Sequence, residues 1–425
     1  MELIPADRQI LRQLAEEIKK ISELPHQNER RELWKKLNAL KPGRPMVLMD
    51  QLPWHELTSI SDDLKPKCAD EFLRSHEIRM RKILYLWNNF RADMVIEPFW
   101  TQTKDIEGPG FENGTPNSFP GYEIKEEIAY VDTENDIVSH RYHDQLSTPD
   151  DIERIGEVKL SYNRKKTENK KQLLEEAFGD IIPVKTIGHS LMFRVWDEIS
   201  MLRGVTGLLI DIADRPEFLH DIMEKATNNM IAIKDQLIEL GALDYAQPLV
   251  HCAGAYSYDL PSDGFDPDRP LAKDAWTAGM AQIFSAVSPD THYEFDIQYA
   301  NRFYKDFAFV NYGCCEPLDT KMHVVEKVAN LRKVSMSPWT DPERGASLIG
   351  DRFVFTSKPN PAYLAADSFD IEASVDEIKK ILECCAGNGC PVEFILKDVS
   401  TVRYEPGRLA RWQDAVMRVV GDSRV

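Results

Sequence analysis

An α/β fold, a single (β/α)8 barrel with a helical N-terminal extension, is predicted by three observations. Eight short runs are apolar on both faces, as fully buried parallel strands are. Amphipathic stretches of helical period separate most of them. No G-x-G-x-x-G follows the first run, which leaves an open dinucleotide-binding sheet with little support.

The elements follow in order. In residues 1–42, Leu11, Leu14, Ile18, Ile21 and Leu24 keep the spacing of one helix face. After Pro25, Leu33, Trp34, Leu37 and Leu40 repeat it, and Lys41-Pro42-Gly43 ends the extension. The remainder, 43–425, is read as the barrel domain. Its eight runs are Met46–Asp50, Asp93–Trp100, Ile181–Gly188, Ala246–Gly254, Phe307–Glu316, Leu331–Trp339, Arg352–Asn360 and Pro391–Val399. The clearest helix is Arg215–Leu240, with Asp214 as N-cap, Pro216 in the first turn and Gly241 after its last apolar position. Thr101–Gly121, rich in Gly and Pro, reads as a loop over the C-terminal face of the barrel. Glu126–His143 alternates in places and reads as a hairpin excursion.

Composition narrows the function classes. The 425 residues hold 52 Lys+Arg against 70 Asp+Glu, a net charge of −18, with 43% hydrophobic residues. Such an acidic surface with no basic patch argues against nucleic acid. No apolar run reaches the ~18–20 residues of a membrane span, and the first residues carry charge where a signal peptide needs an apolar stretch. Seven cysteines, an odd number, read as reduced thiols, so a cytoplasmic protein is expected.

In such a barrel the chemistry gathers at the C-terminal strand ends. These carry Asp50 and Gln51, Glu97, His189, His251 and Cys252, Tyr312, Cys314, Cys315 and Glu316, Trp339, Lys358, and Lys397 with Asp398. Cys384, Cys385 and Cys390 precede the last strand on the opposite face, and Cys68 is isolated. All four read as ordinary thiols. His251, Cys252, Cys315 and Glu316 are candidate metal ligands, since zinc takes imidazole, thiolate and carboxylate donors. Against this, adjacent strand residues face opposite sides, and cysteine is also a small hydrophobe. Trp54, Phe99, Trp100, Tyr256, Tyr312 and Trp339 would line the mouth for an apolar or aromatic small molecule.

The order of these segments resembles the uroporphyrinogen decarboxylase superfamily, which includes cobalamin-dependent methyltransferases. RPMVLMDQLPWHEL (Arg44–Leu57) sits like the first strand and its turn, and DMVIEPFW like the second. The segment Ile187–Lys225 sits like the helices after strand three. FVNYGCCEPL lies where the methyltransferases carry H-x-C-G. VSMSPWTDPERGASLIGDRFVFTSKPNPAYL sits like strands six and seven. Two departures stand out. The arginine-rich turn that would hold a porphyrinogen's carboxylates is replaced by MDQLPWHE, with Asp50 and Glu56. The family's late cysteine on strand eight is missing.

The resemblance implies a methyltransferase moving a methyl group from a small O- or N-methylated substrate, such as a methoxylated aromatic, to a corrinoid protein. Zinc is the implied metal, a methyl-corrinoid on the partner the implied cofactor, and a homodimer the usual assembly. Glu97, Asp398 and Lys397 are the candidate catalytic groups. Trp54, Trp100, Tyr256, Tyr312, Trp339 and Lys358 are the candidate substrate contacts. The alternative is a carboxy-lyase, with Glu97 or Asp398 as acid/base and Lys358 or Lys397 holding a carboxylate.

Overall fold

The computed structural model describes residues 3–133, 137–245 and 247–421. Two helices open the chain, α1 (Pro5–Ser22) and α2 (Pro25–Asn38), each with proline in its first turn, where no N–H is needed. α1 buries Leu11, Leu14, Ala15 and Ile18 in a core shared with helices α3 (Glu71–Phe90) and α4 (Arg164–Phe178). α2 drives Trp34 under the sheet, where its indole N–H donates to the Asp93 carbonyl at 3.0 Å.

The parallel strands are β1 (Met46–Met49), β2 (Trp100–Thr103), β3 (Val184–Ile187), β4 (Met192–Phe193), β5 (Trp276–Gly279), β6 (Phe309–Tyr312), β7 (Leu331–Met336), β8 (Val354–Ser357) and β9 (Val392–Leu396). Seven form one parallel sheet in the order β1-β9-β8-β7-β6-β5-β4, while β2 and β3 pair in parallel only with each other. The molecule is therefore α/β around a seven-stranded parallel sheet, and among the described residues the expected ring of eight does not close.

Two expected strands differ, each for a physical reason. In Asp93–Trp100 the strand begins only at Trp100. The Asp93 N–H reaches the Val47 carbonyl at 3.0 Å, but the Val47 N–H goes to the Asp93 carboxylate at 2.9 Å, which also pairs with Arg44, so the ladder stops at one backbone bond. In Ala246–Gly254, of which Ala246 lies outside the described residues, Leu249–Val250 and Ala253–Gly254 form an antiparallel hairpin. Its two-residue turn is His251-Cys252, with φ of 40° and 68°. Positive φ at both positions is the type I′ pattern, which Asn-Gly ordinarily fills. The parallel strand instead comes from β5, whose WTAG sequence is short and ends in two small residues but is buried throughout.

The long helix is present as α5 (Pro216–Glu239), and the hairpin pairs Glu126–Asp132 with Ile137–Tyr142. The loop after β2 is tied down by short pairings and by buried Phe111 and Phe119. One sheet face carries Lys333 and Glu393, whose ammonium and carboxylate meet at 2.9 Å with both side chains 0% exposed. Thr356 donates to the same carboxylate at 2.6 Å. Strand alternation puts Ser335, Lys358 and Lys397 on this face, which we call the inner face. The other face meets helices α6 (Pro342–Ile349), α7 (Ile371–Asn388) and α8 (Gly407–Gly421). Cys385 and Cys390 are buried in this outer layer. No helix of the described residues is long and apolar enough to cross a membrane.

Candidate active site

The C-terminal ends of β1, β6 and β9 and the His251-Cys252 turn bring together one polar cluster. β6 is followed by Gly313 at φ 93°, where a Cβ would lie 2.5 Å from Leu318. Glycine is required there, and it turns the chain so that Cys314 is buried and Cys315 exposed. Across the sheet, Lys397 extends from the end of β9. Its ammonium lies 2.9 Å from the Cys314 sulfur and 3.1 Å from the Asp398 carboxylate. The Cys315 thiol lies 3.5 Å from both the Cys314 sulfur and Asp398.

The charges follow from these neighbours. The Cys315 thiol, the His251 ring and the Lys397 ammonium all favour a Cys314 thiolate and hold its pKa far below the ordinary range. Cys315 is pushed the other way by the Cys314 sulfur and by Asp398, so it keeps its proton. Burial opposes the charge on Lys397, but the thiolate and Asp398 outweigh it and raise its pKa. Cys252, bonded to Gln51 at 3.4 Å and beside Asp50, is pushed up to about 12 by burial. Asp197, on the helix Val195–Arg203, has its carboxyl raised by burial and by the Cys314 sulfur. Backbone strain collects here as well: Gln51, His251, Cys252 and Asp398 all have positive φ. Left-handed non-glycine residues are costly and cluster at functional sites.

Of the residues expected from sequence, Asp398, Lys397, His251, Cys252 and Cys315 meet here. Glu316 sits next to them but is turned inward. It accepts the N–H groups of Cys314 at 2.9 Å and Ala281 at 3.2 Å, and burial pushes its carboxyl up to about 7. Among the described residues no three His, Cys, Asp or Glu side chains are disposed to hold one metal ion. With Glu316 committed to backbone amides, and His251, Cys252 and Cys315 not disposed to share one ion, the four named ligands do not fit zinc in this arrangement.

Other expected residues lie elsewhere. Glu97 is bound by Arg31 at 3.1 Å and by the Tyr256 hydroxyl at 2.5 Å. It lines a separate cavity of about 290 Å³ with Arg79, Phe99, Trp100 and Lys185. Trp100 is buried, donating to His76 at 2.9 Å beneath the Arg79 guanidinium. Tyr312 turns to the outer face, where its hydroxyl bonds His292 and Asp296, each at 2.6 Å. Trp54 is half-buried on Tyr85, and Trp339 is 74% exposed. Sequence reasoning missed Asp197 and Asp296. Asp197 lies one helical turn after β4, a two-residue strand that no apolar run marked, and Asp296 sits in a π-helical turn, Tyr293–Ile297, with no strand end nearby in the chain.

No family model matches the chain. No curated protein matches it. Among solved structures it is similar to a methyltransferase from Methanosarcina mazei, with a TM-score of 0.47 and 13% identity over 92% of this chain and 98% of that one. A likeness of that degree assigns neither fold nor activity.

Proposed function

We propose that the protein is a methyltransferase that takes a methyl group from a small O- or N-methylated compound and passes it to a corrinoid carried by a partner protein. The observation that carries this reading is Lys397, held charged between Cys314 and Asp398 at the strand ends. The fold proposed with it is a barrel of the uroporphyrinogen decarboxylase type, opened between β1 and β4, where β2 and β3 pair with each other.

Methyl transfer from an ether fails in water because the leaving alkoxide is strongly basic. A positioned proton donor removes that obstacle. As the methyl carbon leaves, the C–O bond's electron pair stays on oxygen and takes a proton from the Lys397 ammonium. Asp398, half exposed, can return a proton from solvent to the amine. A corrinoid, when present, supplies the nucleophile that accepts the methyl group. Cys314 does not react in this scheme; its negative charge keeps Lys397 protonated until the leaving group claims the proton.

The test mixes the full chain with cob(I)alamin and a panel of methanol, methylamines and methoxybenzenes, and follows methylcobalamin by its absorbance. Turnover with at least one donor is expected, falling about 100-fold or more in Lys397→Met. No methylcobalamin from any donor, or equal turnover by that variant, overturns the reading.

A further inference from the structure

Lys358 follows β8 on the inner face and is only 4% exposed, yet among the described residues its Nζ makes no hydrogen bond. An ammonium has three N–H donors, and burying them unmet is costly. The charged and titratable groups it faces are Cys252, Glu393, Lys397, Cys314 and Lys333. None is free to serve it. The Glu393 carboxylate is already held by Lys333 and Thr356. The Cys314 sulfur is held by Lys397. Burial keeps the Cys252 thiol protonated, and Lys397 repels it. On the neighbouring strand β7, Ser335 lies on the same face, paired in register with Thr356, and its hydroxyl is also buried without a partner.

Lys333 is taken up by Glu393, and Lys397 by the Cys314 sulfur and Asp398. Lys358 remains, with unused donors next to the reacting groups, and burial pulls its pKa down. We infer that Lys358 is the seat for a carboxylate on the substrate, so that the methyl donor is a small methylated acid. A carboxylate supplies the acceptor that Lys358 lacks and the negative charge that would hold its ammonium protonated against burial. A phosphate dianion would leave a buried negative charge. This inference rests on the methyltransferase reading only for the word donor; the seat itself is a binding statement.

The experiment therefore needs no turnover. Acetate, benzoate and inorganic phosphate are titrated calorimetrically into the full chain and into Lys358→Met, and melting is followed with and without each. Both carboxylates should bind wild type saturably and raise its Tm. Lys358→Met should weaken binding at least tenfold and abolish that rise. Without ligand, the variant's Tm should equal or exceed wild type, because buried donors without a partner have gone. Equal carboxylate binding by both proteins, no binding to wild type, or phosphate binding with the same dependence on Lys358 overturns the seat. So does a variant that melts well below wild type, which would make Lys358 a structural partner. Carboxylate binding that depends on Lys358, together with CO2 release and no methylcobalamin, would keep the seat and discard the methyltransferase.

Discussion

The Lys397 ammonium lies 2.9 Å from the Cys314 sulfur, joining the ends of two strands that do not pair directly. An ordinary thiol ionises near pH ~8.5, so its alkylation slows about tenfold per unit below that. Cys314 should behave otherwise. Its iodoacetamide rate should stay nearly flat from pH 8 to pH 6, and Lys397→Met should restore the ordinary fall. Cys315 is the exposed thiol of the pair but keeps its proton, so it should lag at pH 7. Peptide mass spectrometry assigns the two sites. Faster modification of Cys315 would mean that the charge sits on the wrong sulfur.

The buried carboxyls behind the sheet set the pH dependence of stability. Burial pushes Asp296 up to about 7, although Tyr312 bonds it. An unfolded aspartate titrates near ~3.9. Between those values the folded chain holds a proton that the unfolded chain releases. Stability from this group is full below the unfolded value and is lost as pH rises toward 7. Urea midpoints should fall between pH 5 and pH 8, on the order of a few kcal/mol in all, and Asp296→Asn should flatten the slope. A midpoint that climbs over this range would contradict the assignment.

Lys333 and Glu393 form an ion pair with no solvent access. Removing one partner strands the other charge. Lys333→Met should therefore cost about 3–5 kcal/mol in urea unfolding. Lys333→Met with Glu393→Leu should recover most of that loss, since apolar groups of similar volume often replace a buried pair without penalty. A double variant as unstable as the single one would show that the pair is needed for more than charge balance. The bonds from Lys333 to the Gly254 carbonyl and from Thr356 to Glu393 are the candidates.

What could be read from the chain depended on which force shaped each segment. β1, β6, β7, β8 and β9 are buried on both faces, and their apolar runs announced them. Leu249–Gly254 is apolar for a different reason. It is a hairpin inserted against Trp34 and Lys333, where burial without parallel pairing leaves the same composition. β5 was hidden because Ala278 and Gly279 are small. A Cβ on Gly279 would collide with the Tyr304 hydroxyl, so packing, not β propensity, chose those residues. At the site, strand ends pointed to Cys315, Lys397 and Asp398. The pairing of Lys397 with Cys314 was not legible, because 83 residues separate them and only the sheet order β9-β8-β7-β6 sets their distance. Glu97 sits where a catalytic acid was expected, but Arg31 and Tyr256, from α2 and the hairpin's exit, occupy its oxygens.

The His251-Cys252 turn is the sharpest case of local preference overridden by the site. Both residues hold positive φ, where a side chain is strained by about 1–3 kcal/mol, and Asn-Gly would fit the same turn at little cost. Nothing in the hairpin's own two-pair ladder needs an imidazole or a thiol. What the two side chains supply is the ring beside Cys314 and the thiol beside Asp50 and Gln51. Replacing His251 with Asn and Cys252 with Gly should therefore stabilise the fold by about 1–2 kcal/mol in urea. It should also slow Cys314 alkylation at pH 6 and lower turnover. If the double replacement were destabilising by the same amount while alkylation at pH 6 held, the strain would be serving the fold instead of the cluster.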